Sequence, residues 1–175
     1  MCNGWSRHWV DMPHTLTDTN KPLYAVVLSV GKDRYAIPVA DLIEVLPLLT
    51  LKQLPQTPEW VAGLMNYRGN AVLVIDTSIL MTGKPCQSIV STRILLTSVR
   101  RKDGAGKLLG LMAEGVTGTV KILPETLRTS EIWNNGAPYL GLLAMHEGEI
   151  MQIIHADKVL TGESLKLLEL ENVEG

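Results

Sequence analysis

Few residues in this sequence have the types and spacing for bond-making chemistry, and each group that approaches a motif breaks it. Gly104-Ala105-Gly106-Lys107-Leu108 has the glycines and lysine of a phosphate-cradling loop. Arg101, however, stands where the first glycine belongs, and Leu108 where a Ser or Thr is needed. The run fits a hairpin turn better. His146-Glu147-Gly148-Glu149-Ile150 begins like a zinc-protease helix, but Ile150 replaces the second ligand and Gly148 suits a turn. His155 stands alone at an element boundary. Cys2 and Cys86 have no neighbouring signature of thiol activation, and no Gly-x-Ser-x-Gly elbow occurs. Catalysis requires convergent titratable groups. No catalytic residue, metal site or cofactor is therefore expected, and the chain does not read as an enzyme.

What remains is contact chemistry. Arg68 lies in a polar corner, Asn66-Tyr67-Arg68-Gly69-Asn70, between the apolar runs 60–65 and 71–75. Two short apolar runs around a Gly-containing turn predict a β-hairpin. Both runs are nearly continuous, so both strands are expected to be buried on two faces. Gly69 permits a tight turn and sets Arg68 on a rigid platform. From there the planar guanidinium can meet a carboxylate with two parallel hydrogen bonds. That carboxylate is either a partner's, or it belongs to Glu44 or Asp76 of the same chain. Tyr67, beside the turn, is placed for contact, since Tyr and Arg are enriched at interface hot spots. Other residues have plainer readings: Glu44 closes a capping box opened by Asp41, Gly63 allows close strand packing, and Leu42 and Trp60 fill the core.

The elements around this corner are short. Strands are predicted at 24–30 and 34–39 around the turn Gly31-Lys32-Asp33. A helical turn is expected at 41–46, a strand at 48–54, the central hairpin, and a helical turn at 77–81 ended by Gly83. After a polar link at 82–91, strands follow at 93–99, 108–113 and 116–123. A long loop at 124–138 holds Trp133. A hairpin at 139–154 and a short helix at 155–160 close the series; the leucines of 162–175 could extend that helix. Residues 1–22 read either as a tail or as a short helix docking Trp5 and Trp9.

The order repeats. Leu54-Pro55-Gln56-Thr57 returns as Leu123-Pro124-Glu125-Thr126, and Val61-Ala62-Gly63-Leu64 as Tyr139-Leu140-Gly141-Leu142. The turn at Lys32-Asp33 returns at Lys102-Asp103. Short strands, frequent turns and no long helices predict barrels or a sandwich. The expectation is two five-stranded β-barrel subdomains sharing one core, one before and one after roughly residue 85.

Composition narrows the class further. The chain has 175 residues, 46% of them hydrophobic, which suffices for a sizeable core. With 16 basic and 18 acidic residues and no basic block, nucleic acid is not an expected partner. The polar N-terminus lacks an apolar signal region and no run reaches membrane-spanning length, so a soluble cytoplasmic protein is expected.

The run from Thr57-Pro58 through Gly63-Leu64-Met65-Asn66-Tyr67-Arg68-Gly69 to Val74-Ile75-Asp76 resembles the CheW-like adaptor domain. Tyr35-Ala36-Ile37-Pro38 and 110–116 support the likeness, which covers about residues 23–161. The resemblance implies an all-β fold of two intertwined SH3-like barrels with short helices, flanked by an extension (1–22) and a tail (162–175). It implies a non-catalytic adaptor coupling a methyl-accepting chemoreceptor to the regulatory domain of a CheA-like histidine kinase, recruited to membrane receptor arrays. By motif, Glu44 and Arg68 match receptor-coupling positions, with Tyr67 beside them, and Leu42 and Gly63 match kinase-binding positions. Tyr67 stands where the family usually has Leu, Leu46 where chemotaxis adaptors often have Arg, and residues 1–22 have no counterpart in a minimal adaptor. These departures point toward a parallel pathway such as surface sensing, pili or cyclic-di-GMP output. Two alternatives are a small-molecule-binding module using the groove between barrels and a detached regulatory domain of a hybrid kinase. The opening strand and the free C-terminus favour a stand-alone adaptor over the latter.

Overall fold

The computed structural model describes residues 20–100, 104, 106–129 and 137–160. The expectations for Trp5, Trp9, Trp133 and the 162–175 tail lie outside these residues. Among the described residues, ten strands and one α-helix follow in order: β1 (Leu23–Val30), β2 (Asp33–Pro38), β3 (Leu42–Pro47), β4 (Val61–Tyr67), β5 (Asn70–Asp76), α1 (Thr77–Thr82), β6 (Arg93–Arg100), β7 (Gly106–Ile122), β8 (Leu127–Arg128), β9 (Leu140–His146) and β10 (Glu149–Ile154). The fold is all-β.

Four segments differ from the sequence reading. Residues 39–41 form a 3-10 turn, and β3 follows as a strand rather than a helical turn. Ile43 and Val45 are β-branched, and the ladder from β3 to β6 outweighs the capping box. The expected strand at 48–54 is only one antiparallel bridge, Lys52 to Leu64, in a segment bounded by Pro47 and Pro55, which lack N–H groups. The strands expected at 108–113 and 116–123 are one 17-residue strand, β7. It continues through Gly115, whose φ of 59° accompanies a register shift against β1. The 3-10 turn Ala156–Lys158 replaces the helix expected at 155–160.

The subdomains do not divide at residue 85. One sheet runs β3-β6-β7-β5-β4, using the first half of β7. The other runs from the second half of β7 through β1, β2, β10 and β9 to the two-residue β8. The opening hairpin β1–β2 therefore pairs with β10, from the end of the chain, while β6–β7 pairs with β5 from the first half. Parallel contacts, β5 with β7 and β2 with β10, make both exchanges.

Burial follows the period-2 alternation of strands. On β5, Val72 and Val74 enter one core with Met65, Ile94 and Leu96. Leu73 and Ile75 enter a second, shared core with Val26, Leu28 and Ile37 of the opposite sheet. A third core gathers Ala25, Val27, Ala36, Ile122, Met151 and Ile153. Burial of β5 on both faces agrees with its continuous apolar run. β4, at the sheet edge, is more thinly covered.

Candidate functional site

The corner at Arg68 is a two-residue hairpin turn. Arg68 has φ 52° and Gly69 φ 86°, the pair of positive values that matches the right-handed twist of the flanking strands. The Asn66 side-chain oxygen accepts from Gly69 N at 2.9 Å and fixes the turn. Arg is held here in a left-handed conformation that costs an L-residue about 1 kcal/mol.

β3 and β4 are the two outer strands of their sheet, and no backbone ladder joins them among the described residues. Side chains bridge the gap instead. The Tyr67 hydroxyl donates to Glu44 Oε2 at 2.6 Å, and Arg68 Nη2 approaches the same oxygen at 3.5 Å. The guanidinium carbon lies 5.0 Å from the centre of the Tyr67 ring, within cation–π range. The Tyr67 phenol is pushed above its ordinary value, first by its hydrogen bond to the Glu44 carboxylate and then by burial; Arg68 opposes the shift. The Arg68 side chain is 69% exposed and that of Glu44 41%. The three residues expected from sequence to act together thus form one cluster. Its electrostatics leave a cation at the surface with a carboxylate behind it.

Leu42 and Gly63 do not form a matching cluster. Leu42 is half-buried and packs on the shared core. Gly63 lies at a register shift in β4 with φ 137°, and a Cβ there would come within 2.6 Å of Lys52 O. Its glycine identity thus has a local packing cause, the close approach of residue 52, whatever partner it meets. Of the two carboxylates of the same chain weighed as alternatives to a partner's, Arg68 pairs with Glu44.

Asp76 has another task, which the sequence reading missed. It is 3% exposed, caps α1 by accepting from Ile79 N at 3.0 Å, and accepts from Cys86 N at 2.9 Å. An acidic residue followed by Thr-Ser and a short apolar run was the available N-cap signal. Of the groups weighed for chemistry, Cys2 lies outside the described residues, and Cys86, His155 and His146 have structural settings. Burial pushes the Cys86 thiol up to about 12, far from the thiolate needed for attack. Burial lowers His155. His146 ends a strand rather than opening a helix. Among the described residues no three His, Cys, Asp or Glu side chains converge to hold a metal, and no helix is long and apolar enough to cross a membrane.

Fold and cluster together define an all-β protein of two SH3-like barrels with a charged cluster, Glu44–Tyr67–Arg68, exposed at one hairpin tip. The chain belongs to the CheW-like domain family, whose profile matches residues 25–164. It is 25% identical over 150 residues to the Helicobacter pylori protein named Chemotaxis protein CheW, covering 82% of this chain and 84% of that one. It is 20% identical over 147 residues to the Klebsiella aerogenes protein of the same name, covering 82% and 85%. The crystal structure of the scaffolding protein TtCheW from Thermoanaerobacter tengcongensis superposes with a TM-score of 0.71 at 20% identity, covering 87% of this chain and 96% of that one.

Proposed function

We propose that this chain is a non-catalytic coupling adaptor of chemosensory signalling, joining the cytoplasmic tip of a methyl-accepting chemoreceptor to the regulatory domain of a CheA-like histidine kinase. Family membership and two relatives named as chemotaxis proteins support the pathway. The observation that carries the receptor contact is the Glu44–Tyr67–Arg68 cluster at an exposed hairpin tip. An Arg already stacked on an aromatic ring has less freedom to lose on binding. Leu42 and Gly63 mark the kinase side in this reading, and both lie on the strands that carry Glu44 and Tyr67. The protein works in the cytoplasm at membrane receptor arrays. Tyr67 and Leu46, which depart from the usual family residues, favour a pathway other than flagellar chemotaxis.

Arg68→Glu tests this reading. It reverses the exposed charge without touching the core, so the protein should stay folded by circular dichroism. Titration with a soluble receptor signalling fragment should show a loss of about 2–5 kcal/mol if the contact is desolvated, with kinase-domain binding much less affected. A well-folded Arg68→Glu protein with unchanged receptor affinity would overturn it.

A further inference from the structure

Tyr67 supplies two contacts that its neighbours cannot make alone. Its hydroxyl holds Glu44 across the gap between β3 and β4, and its ring lies beneath the Arg68 guanidinium. The direct Arg68–Glu44 contact is long, 3.5 Å, and engages one of the five N–H donors of an exposed side chain. Without Tyr67, Arg68 would be anchored only by that contact, between exposed charges, which contributes little. With it, the carboxylate is fixed, the cation is stacked, and the unengaged part of the planar fork is available to an incoming group. The cation stands in front and the Glu44 carboxylate behind, so the group that fits is an acceptor, preferably a carboxylate.

We infer that Tyr67 is a positioning residue that joins Glu44 and Arg68 into one recognition unit for a carboxylate on the partner surface. This inference rests on the receptor-coupling reading and deepens it: Tyr67 acts on the partner through Arg68 rather than by its own contact. A Leu at this position would fill similar apolar space, but would supply neither the hydroxyl nor the aromatic face. The departure from the usual family residue is therefore a change in how the arginine is held.

The test uses the full chain, the soluble chemoreceptor signalling fragment and four variants: Tyr67→Phe, Tyr67→Leu, Arg68→Ala and the double variant Tyr67→Leu/Arg68→Ala. Tyr67→Phe keeps the ring and loses the Glu44 bond, and should weaken fragment binding about threefold. Tyr67→Leu loses both and should weaken it about tenfold. In the Arg68→Ala background, Tyr67→Leu should add less than about a twofold loss, because nothing remains to position. A readout independent of the partner is the Arg68 Nε–H resonance. The Tyr67 ring should displace it, Tyr67→Phe should keep the displacement, and Tyr67→Leu should abolish it. An equal loss from Tyr67→Leu with and without Arg68 would overturn the inference, making Tyr67 a direct contact. An Arg68 resonance unmoved by Tyr67→Leu would overturn it as well. If Arg68→Ala binds the fragment like wild type, the receptor reading and the recognition half fall together; the resonance then decides the positioning half alone.

Discussion

The hairpins β4–β5 and β9–β10 occupy equivalent places in the two sheets and share a frame. Each turns on a non-glycine followed by glycine, both with positive φ: Arg68-Gly69 in one, Glu147-Gly148 in the other. Each has a register shift near its base and a backbone bond closing it, Asp76 N to Trp60 O and His155 N to Tyr139 O, both 2.8 Å. The Leu-Pro turns before them match too, with Thr57 and Thr126 hydroxyls donating to the carbonyls of Leu54 and Leu123. The chemistry on this frame differs. One tip is basic and tied to Glu44. The other is acidic: His146 Nε2 lies 4.0 Å from Glu147 Oε1, and Glu149 pairs with Arg34. The two hairpins thus share a backbone frame and differ in the side chains they present at their tips.

The widest separation between the hairpins should come at their glycines. Gly63→Ala puts a Cβ 2.6 Å from the Lys52 carbonyl at φ 137°. Backbone cannot easily yield, so a loss of about 3 kcal/mol in urea unfolding is expected. Gly141→Ala meets the His155 ring at 2.5 Å; a ring edge can turn aside, and the loss should be about 1 kcal/mol. Equal losses would mean that residue 52 does not pack on Gly63. For the same reason, a Gly63→Asp protein that fails to bind kinase is informative only if it remains folded.

Next are the residues that close each hairpin. Asp76→Ala removes the acceptor for Ile79 N and Cys86 N in a buried setting and should cost about 2 kcal/mol. A stability change within error would break the assignment of Asp76 as the anchor of α1 and the 84–88 segment. His155 contributes a pH dependence instead. Burial lowers its folded pKa, so the unfolded chain binds the extra proton more readily. Its contribution is full above the unfolded value near 6.5 and is lost as pH falls from there through the folded value. Melting temperatures measured from pH 7.5 down to 5 should fall, with a shallower slope in His155→Gln. An identical slope would remove His155 from the account.

The smallest effect is at the tips. Asn tolerates the left-handed conformation, so Arg68→Asn and Glu147→Asn should each raise stability by about 0.5 kcal/mol. Only Arg68→Asn should lose receptor-fragment affinity. If both variants bind equally well, the basic tip has no claim over the acidic one.

Local chemistry made much of this legible from sequence. The Arg68-Gly69 corner, the apolar run of β5 and the Gly83 stop of α1 each rest on neighbouring residues, and each falls where expected. Glu44, Tyr67 and Arg68 could be named as contact candidates in advance, Glu44 from motif resemblance, Tyr67 from its place beside the turn and Arg68 from both. Their shared carboxylate oxygen could not, because it depends on the two outer strands of a sheet meeting. The capping box at Asp41 and Glu44 is a local signal, while the strand state of β3 is decided by β6, some fifty residues away. From sequence, β7 reads as two strands parted at Glu114-Gly115, because a glycine that bends a strand looks like one that ends it. The exchange of strands is a matter of parallel pairing between distant segments, on which periodicity carries no information.

That exchange has a mechanical consequence. β7 is common property of both sheets, and each half of the chain lends a hairpin to the other, so neither barrel is a separable piece. Cut in the 84–91 link, the molecule would yield two fragments that each hold unfinished sheets and complete one another only by reassociating. A body knitted in this way is expected to melt in a single transition, read by calorimetry, rather than barrel by barrel.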